Sequence, residues 1–390
     1  MQDLGPAEGS VATRLAETLS RNLADANFEP VSTPLMEETE LFTRKGGVEL
    51  TGSLYAFTDP GGRRVSLRPE FTSSVIRYVA ENQKSMKLPA RLRYRGPVFR
   101  YHRGGNGTYR QYTQVGGELI GASGPDADAE IVSVAVSGLN AVGIANVAIR
   151  IGHLGILNSF LESFGLSPAA NRLIIGSVKT LRDDETDDLL QEARAAGLIR
   201  SANGASDSAS PDPAALGDLL RDTLGDAMSK PVGRRTTEEI LARLMRKSRE
   251  ANDPVRFTDA VSFFSQLIRL DGKPADVVSR ARKLCAARKV SPNPLDELDA
   301  LIKSLAGRKL NGDSIRLDLG FARGVAYYTG LVFELTTATL PAGASLGGGG
   351  RYDGLIETLG GKDCAALGFA YDLDYVLLAT KKPAKAKAKS

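Results

Sequence analysis

Apolar residues recur at helical spacing close to the start of the chain. Leu15, Leu19 and Leu23 follow one another every four residues along one face. This period predicts an amphipathic helix over residues 11–27, with Ser10 as a candidate capping residue at its start.

Short runs of alternating polarity then predict strands. The segments 92–103 and 108–120 flank the glycine-rich turn 104–107. The two strand-like segments and the turn together predict a long antiparallel hairpin. A smaller pair of strands is predicted over 55–68, around the turn 59–62.

The character of the chain changes from residue 166 to residue 303, where Ala, Leu, Arg and Asp dominate at helical spacing. Residues 201–213 are mostly Ser, Ala, Gly, Asp and Pro, which is typical of a loop. Strand patterns return at 314–319 and 331–337, and the run 347–350 is predicted to be a glycine-rich loop. Strands, then helices, then strands again favour an α+β fold with an antiparallel sheet.

We therefore expect a discontinuous core domain formed by 1–165 and 304–380, with a helical insertion over 166–303. The remaining segment, 381–390, contains five lysines and no acid and is predicted to be a disordered tail. Without those five lysines, the 50 basic residues fall to 45, against 46 acidic ones. The body is thus nearly neutral, which argues against a basic nucleic-acid binder.

The composition, 42% apolar and 25% charged, is that of an ordinary globular protein. No apolar stretch reaches about 18 residues and the first ten residues do not resemble a secretory signal, so we expect a cytoplasmic protein without a membrane span. The two cysteines, Cys285 and Cys364, lie far apart, and the two histidines lack metal-ligand spacing. No metal site is predicted.

The second strand of the predicted hairpin carries the first candidate chemistry. Gln114, Gly116 and Glu118 share one face, because side chains alternate along a strand. A carboxylate such as Glu118 suits an ammonium group, and Arg100 suits an anion. The alternative is a solvated sheet face with cross-strand ion pairs.

Three further segments have both a binding and a purely structural interpretation. In 68–72, a proline places Glu70 and Thr72 at the first turn of a helix, which alone is only a capping pattern. In 322–330, Tyr327 and Tyr328 lie between glycines. The two rings are predicted either to form a wall of a ligand site or to pack as aromatic side chains in a hairpin bend. The glycines of 347–354 could cradle phosphates, although four glycines alone are a weak signal.

As an ordered set, these segments resemble histidyl-tRNA synthetases, a class II family. The matching segments are 67–72, 93–118, 322–330 and 348–355. The resemblance implies a class II synthetase-like antiparallel sheet flanked by helices and a pocket for histidine. Glu70 and Gln114 would hold the α-ammonium group, while Glu118 and the tyrosine hydroxyls would bond the ring nitrogens. The predicted histidine-binding residues are Glu70, Thr72, Arg100, Gln114, Glu118, Arg323, Tyr327 and Tyr328.

The chain departs from the synthetase pattern where ATP would bind. Asp372 replaces a glycine, and Tyr375 stands where the family has a phosphate-binding arginine. In the hairpin loop, His102 replaces a glutamate and Thr108 replaces an arginine. An added carboxylate repels a triphosphate, and each lost contact costs about 10²- to 10³-fold in rate. We expect no catalytic residues and no cofactor.

Synthetases of this family continue into an anticodon-binding domain of about a hundred residues, whereas twelve residues follow Leu378 here. The combination resembles the regulatory subunits of ATP phosphoribosyltransferase in histidine biosynthesis. That resemblance implies a non-catalytic chain that partners a short-form catalytic subunit and senses free histidine as a feedback effector. The segment 28–43 resembles class II motif 1 and is expected to form a homodimer interface.

Two other functions remain open from the sequence. A truncated synthetase could use Arg100, Arg110 and Arg323 for ATP, and histidine-dependent pyrophosphate exchange would reveal it. An RNA-binding or scaffold module could use the lysine-rich tail, and salt-sensitive retention of tRNA would reveal that.

Overall fold

The computed structural model describes most of the chain, in two compact units. The described residues are 3–44, 47–101, 110–183, 185–199, 252–310, 313–321 and 327–381. The first unit comprises Met1–Ile156, Leu270–Ala286 and Pro292–Ser390, and the second comprises Leu157–Arg269 and Ala287–Ser291. Several predicted features lie outside the described residues: the turn 104–107 with His102 and Thr108, the segment 201–213, Arg323, and the tail from 382 onward.

The described strands all lie in the first unit. They are β1 (Glu29–Pro30), β2 (Met36–Glu38), β3 (Tyr55–Thr58), β4 (Arg64–Leu67), β5 (Ala90–Phe99), β6 (Gln111–Ile120), β7 (Ala148–His153), β8 (Asp271–Gly272), β9 (Ile315–Asp318), β10 (Leu331–Thr336), β11 (Gly347–Arg351) and β12 (Ala366–Asp372).

Helices precede, interrupt and follow these strands. They are α1 (Pro6–Asp25), α2 (Thr39–Thr43), α3 (Gly47–Gly52), α4 (Thr72–Asn82), α5 (Pro125–Ala141), α6 (Leu154–Ser163), α7 (Pro168–Gly176), α8 (Val178–Arg182), α9 (Thr186–Ala195), α10 (Pro254–Leu267), α11 (Pro274–Arg288), α12 (Pro294–Gly307), α13 (Leu355–Thr358) and α14 (Leu373–Thr380). Among the described residues, no helix is long and apolar enough to cross a bilayer.

Nine of the described strands form one mixed sheet in the order β1-β5-β6-β12-β11-β10-β7-β9-β8. The six central strands pair antiparallel, as predicted, and the α+β class is confirmed. The pairs β1-β5 and β7-β9 towards the two edges are parallel, so the sheet as a whole is mixed. Parallel neighbours need long crossovers, and many residues separate both pairs in the chain. The remaining three strands form a small sheet, β2-β4-β3.

The hairpin predicted from the alternation is confirmed as β5 and β6. Its strands pair from Ala90 with Ile120 to Phe99 with Gln111. The smaller hairpin is confirmed as β3 and β4, where the backbone amide of Arg63 donates to the Asp59 carboxylate at 2.9 Å.

The first helix is also confirmed, but it begins earlier than predicted. Leu15, Leu19 and Leu23 are buried on one face, as their spacing required. Pro6 lies in the first turn, where its missing amide and fixed φ favour a helix start. The expectation that Ser10 caps the helix is wrong, because Ser10 lies within it.

The run of glycines at 347–350 is not a loop. These residues form β11, a buried strand in the middle of the sheet. A Cβ at Gly349 would overlap the carbonyl oxygen of Gly368 on β12, and one at Gly350 would overlap that of Leu331. Glycine is therefore required for close strand approach and not for a phosphate-binding turn.

The core beneath the candidate site is built mainly by α4 and the β5-β6 hairpin. Val75, Ile76 and Val79 on α4 pack against Leu92 and Val98 of β5. Tyr327 and Tyr352 belong to the same buried cluster. Aromatic side chains from distant segments thus meet over the sheet.

The described part of the second unit is mostly helical and has its own apolar core, which includes Phe160, Phe257 and Phe264. The side chain of Asn252 accepts from the Ser167 amide at 2.7 Å. This contact ties the start of α7 to the chain that enters α10. The division of the chain into a core and an insertion over 166–303 stays a prediction.

Candidate functional site

A cavity of about 370 Å³ lies over the central strands of the mixed sheet. This volume is at the small end of the range of about 300–1,000 Å³ that is usual for small-molecule sites. Six of the eight predicted binding residues line it: Glu70, Thr72, Arg100, Gln114, Tyr327 and Tyr328. The structure therefore brings together residues from four separate segments. Arg323 lies outside the described residues, and the assignment of these side chains to histidine stays a prediction.

Glu118 lies just beneath the cavity lining and is 1% exposed. Its carboxylate accepts hydrogen bonds from the Thr72 hydroxyl at 2.8 Å, from the Tyr94 hydroxyl at 3.0 Å and from the Tyr352 hydroxyl. Each hydroxyl that donates to Glu118 has its oxygen lone pairs left for another donor. Glu118 thereby orients the hydroxyl groups of the cavity wall.

Burial raises the pKa of Glu118 to about 7, although the three hydroxyl groups that donate hydrogen bonds to it favour its charged form. The space for this carboxylate exists because residue 368 is a glycine. A Cβ at Gly368 would overlap a carboxylate oxygen of Glu118. Gly368 on β12 is thus required for the Glu118 side chain on β6 to occupy its buried position.

Glu70 occupies the turn before α4, as the Pro69 pattern predicted. Both of its carboxylate oxygens accept from the backbone amide of Ser73, at 3.2 and 3.1 Å. The side chain is buried, and burial raises its pKa, while Ser73 and the Arg100 guanidinium favour the charged form. Glu70 therefore caps the helix and presents an acid to the cavity.

Gln114 provides an acceptor without a partner. Its side-chain oxygen is buried and has no hydrogen-bond partner among the described residues. A buried unpaired acceptor is unusual in a folded protein and costs stability. A ligand that donates an N–H at this point would satisfy it.

Arg100 is the one cationic side chain among the described residues that line the cavity. Its Nε donates to the carbonyl oxygen of Pro69 at 2.9 Å, and its guanidinium lies 5.5 Å from the ring of Tyr112. Burial raises the pKa of both Glu70 and Asp372, and the positive charge of Arg100 offsets part of that increase. The Arg100 guanidinium therefore acts electrostatically on two carboxylates of the cavity wall.

The N-terminus of α14 forms the part of the cavity wall that carries Asp372 and Tyr375. The Asp372 carboxylate accepts from the amides of Asp374 at 3.1 Å and Tyr375 at 3.3 Å. Burial raises the pKa of Asp372 to about 7, and the neighbouring Asp374 adds to this increase. A helix N-terminus is a ready anion site, but here its amides are already bonded to a carboxylate.

The structure also places Tyr94, Tyr112 and Tyr352 in the cavity wall, and none of the three belongs to the predicted binding set. Tyr94 lies opposite Gly116 in the hairpin, so it shares the face of Gln114 and Glu118. Tyr352 follows the glycines of β11, which do not form a phosphate-binding turn. The strand pairing would have identified Tyr94, whereas the position of Tyr352 depends on contacts across the sheet.

Comparison with known proteins places this geometry in context. A sequence profile described as Histidyl-tRNA synthetase matches residues 1–227 and 227–376. The histidine–tRNA ligase of Pyrococcus furiosus is 31% identical over 376 residues, which cover 96% of this chain and 73% of the relative. That of Thermococcus kodakarensis is 32% identical over 378 residues, 96% of this chain and 72% of the relative.

Two solved structures are similar over nearly the whole chain. A histidine–tRNA ligase subunit from Alicyclobacillus acidocaldarius has a TM-score of 0.59 at 26% identity, covering 97% of this chain and 95% of that one. A protein from Bacillus halodurans C, described as an ATP phosphoribosyltransferase regulatory subunit/histidyl-tRNA synthetase, has a TM-score of 0.69 at 22% identity, covering 98% and 82%. These matches confirm the synthetase-like fold that the sequence motifs implied.

Proposed function

The chain belongs to the histidyl-tRNA synthetase family, and on that premise we propose that it is a regulatory subunit that binds histidine without activating it. Its partner in this proposal is a short-form ATP phosphoribosyltransferase catalytic subunit. That partner would need the regulatory chain both for activity and for feedback inhibition by histidine. The observation that carries the proposal is a cavity lined by many hydrogen-bond acceptors. The N-terminal amides of α14, which could otherwise bind an anion there, already donate to the Asp372 carboxylate.

The acceptors fit free histidine. The Glu70 carboxylate and the unpaired oxygen of Gln114 suit the α-ammonium group, because both accept hydrogen bonds. The hydroxyls held by Glu118 suit the N–H of an imidazole ring, because each has donated its one proton to the carboxylate and keeps oxygen lone pairs that accept. Arg100 suits the α-carboxylate. A bounded polar pocket of this kind rejects analogues that leave its groups unpaired.

The same cavity is poorly suited to a triphosphate. Asp372, whose pKa is about 7, adds negative charge to the wall as the pH rises above 7, and it occupies the first amides of α14. Tyr375 offers no positive charge, and the single guanidinium of Arg100 already interacts electrostatically with Glu70 and Asp372. Transition states that build up phosphate charge need preorganised cations. Loss of adenylation follows from this balance of charge.

A second candidate function is an active ligase, since curated relatives that carry that name are 31–32% identical to this chain. Arg110 and the loop segments outside the described residues would then have to supply the missing cations. The Bacillus halodurans protein carries both names in its description. Its likeness, at 22% identity, concerns the fold, so chemistry has to decide between the two functions.

Two assays on the full chain separate the candidates. Calorimetric titration with histidine should give saturable heat, and histidine-dependent exchange of pyrophosphate into ATP should be absent. Saturable heat together with exchange would establish the ligase. Absence of both, with salt-sensitive retention of tRNA, would instead favour the RNA-binding alternative.

We also propose that residues 28–43 form a homodimer interface. Two large apolar side chains in this segment are exposed, Leu35 at 42% and Met36 at 44%. Phe57, in the same small sheet as Met36, is 45% exposed. Clustered exposed apolar residues mark interaction surfaces. Light scattering should give a dimer mass, and Met36→Glu should shift it toward the monomer; a monomer at all concentrations for the wild type would contradict the proposal.

A further inference from the structure

A second polar cluster lies outside the cavity and is not used by the proposed binding site. It consists of Asp128, His153, Glu297 and Arg351, and is called the Arg351 cluster below. The side chains of Arg351, Asp128 and His153 are 7%, 1% and 2% exposed, whereas that of Glu297 on α12 is 50% exposed. Buried charges are costly unless paired, so this cluster needs an explanation.

Arg351 joins the end of β11 to α5. Its Nε donates to the Asp128 carboxylate at 2.9 Å, its Nη2 lies 2.7 Å from the same oxygen, and its Nη1 donates to the carbonyl oxygen of Ala122 at 3.2 Å. The start of α5 is in turn bonded to α12, because the hydroxyl of Ser304 donates to Asp126 at 2.6 Å. The Arg351 cluster therefore connects the central sheet to two outer helices.

The backbone around Arg351 also belongs to the wall of the cavity. Its neighbour Tyr352 donates to Glu118. The amide of Thr329 donates to the carbonyl oxygen of Arg351 at 2.8 Å, and the hydroxyl of Thr329 accepts from the Asp353 amide at 3.0 Å. Thr329 directly follows Tyr328, so both tyrosine-bearing segments of the wall are tied to Arg351.

His153 is tied to the same segment and has an unsatisfied donor. The amide of Leu154, next to His153, donates to the carbonyl oxygen of Gly330 at 2.8 Å. The Nδ1 of His153 accepts from the Ile156 amide at 3.2 Å, which leaves the ring proton on Nε2. That Nε2 is buried without a hydrogen-bond partner in the described part of the chain.

The nearest acid to this Nε2 is the Glu297 carboxylate, at 3.9 Å. Burial and the nearby Arg351 lower the pKa of His153 to about 4, so the ring is neutral near pH 7. A movement of about 1 Å would bring the two groups to hydrogen-bond distance. The Glu297 side chain on α12 is 50% exposed, so burial does not hold it in its present position.

We infer that ligand in the cavity is coupled to α12 through the Arg351 cluster. In the open state, seen here, Glu297 is solvated and the His153 donor is unpaired. Ligand contact with Tyr327, Tyr328 and Tyr352 shifts the segments bonded to Arg351 and Leu154 and closes the His153–Glu297 hydrogen bond. The ligand need only bind the closed state more tightly to shift this equilibrium. The inference rests on the proposed function in one respect, since it takes histidine as the ligand.

Hydrogen–deuterium exchange of the full chain tests this inference. Saturating histidine should slow exchange of the amides of 294–307 by about 2- to 12-fold, the factor of one net hydrogen bond. Glu297→Ala should abolish the slowing, and Glu297→Gln should keep it, because an amide oxygen still accepts. Asp296→Ala, which removes an acid from the same helix, is the matched control and should behave as the wild type.

Calorimetry supplies an independent readout, because coupling is reciprocal. Glu297→Ala should weaken histidine binding by the same factor, although Glu297 does not line the cavity. If histidine binds but exchange over 294–307 does not change, or Glu297→Ala matches the wild type in both measurements, the coupling is refuted while the proposed function stands. If the wild type gives no histidine heat at all, the proposed function fails and the coupling falls with it.

Discussion

Replacing Glu118 with glutamine should remove a defined part of the pH dependence of stability. The folded protein holds the Glu118 proton with a pKa of about 7, against 4.5 for the ordinary group. Because the raised pKa means that the folded state binds the proton more tightly, protonation stabilises the fold. This stabilisation is complete well below pH 4.5 and is lost as the pH rises through 7.

The magnitude follows from the two pKa values. Each unit of difference is worth about 1.4 kcal/mol, so raising the pH from 5 to 8 should cost the wild type about 2.5 kcal/mol at this residue. Glu118→Gln keeps the shape of the side chain and an acceptor for the hydroxyls but cannot titrate. Asp128 and Asp372 also have raised pKa values. Both residues are present in the wild type and in Glu118→Gln, so their contributions to the pH dependence of the free energy of unfolding cancel in the difference.

Urea denaturation at pH 5 and pH 8 measures this difference. The chain has no tryptophan, so near-ultraviolet circular dichroism of the tyrosines around the cavity is the suitable signal. The free energy of unfolding of wild type minus Glu118→Gln should fall by about 2.5 kcal/mol between the two pH values. The exposed Glu357, changed to glutamine, is the matched control. A difference that does not change with pH, or that rises, would refute the raised pKa of the buried Glu118.

Three further changes test other parts of the site. Gln114→Ala should weaken histidine binding by about tenfold or more, because it removes an acceptor for a charged group; calorimetry with an unchanged affinity would remove Gln114 from the pocket. At pH 8, where Asp372 with its pKa of about 7 is mostly ionised, Asp372→Asn should strengthen binding of tripolyphosphate by about tenfold by removing a repulsive charge. An equal affinity in a competition assay at that pH would show that Asp372 does not exclude anions. Gly349→Ala should destabilise the fold by about 3 kcal/mol or more, since its Cβ would overlap β12. The control Gly52→Ala, with open space around residue 52, should be nearly neutral. Similar thermal unfolding midpoints for the two variants would contradict the close approach of β11 and β12.

Local patterns in the sequence were sufficient where one period or one turn decides the structure. The spacing of Leu15, Leu19 and Leu23 gave the buried face of α1, and alternation gave the β5-β6 hairpin with Gln114 and Glu118 on one face. Pro69 located the turn that carries Glu70. These features depend on contacts between residues that are close in the chain.

Other features depend on partners that are distant in the chain. The glycines of β11 look like a loop until β12 and β10 are placed beside them, because their requirement is for close backbone approach. Likewise, the sequence indicated that Glu118 would contact a ligand, whereas the structure shows it accepting from Thr72, Tyr94 and Tyr352. Three hydroxyls from three segments converge on one carboxylate, and no local pattern contains that information.

The central claim is that this chain confers histidine control on a phosphoribosyltransferase. The most direct test is the rate of phosphoribosyl-ATP formation by the short-form catalytic subunit from the same organism, with and without this chain, over a range of histidine concentrations. We predict that the chain switches the activity on, that histidine inhibits the complex, and that Gln114→Ala shifts the inhibition to higher histidine concentrations. A catalytic subunit whose rate is the same with and without this chain at every histidine concentration would contradict the account.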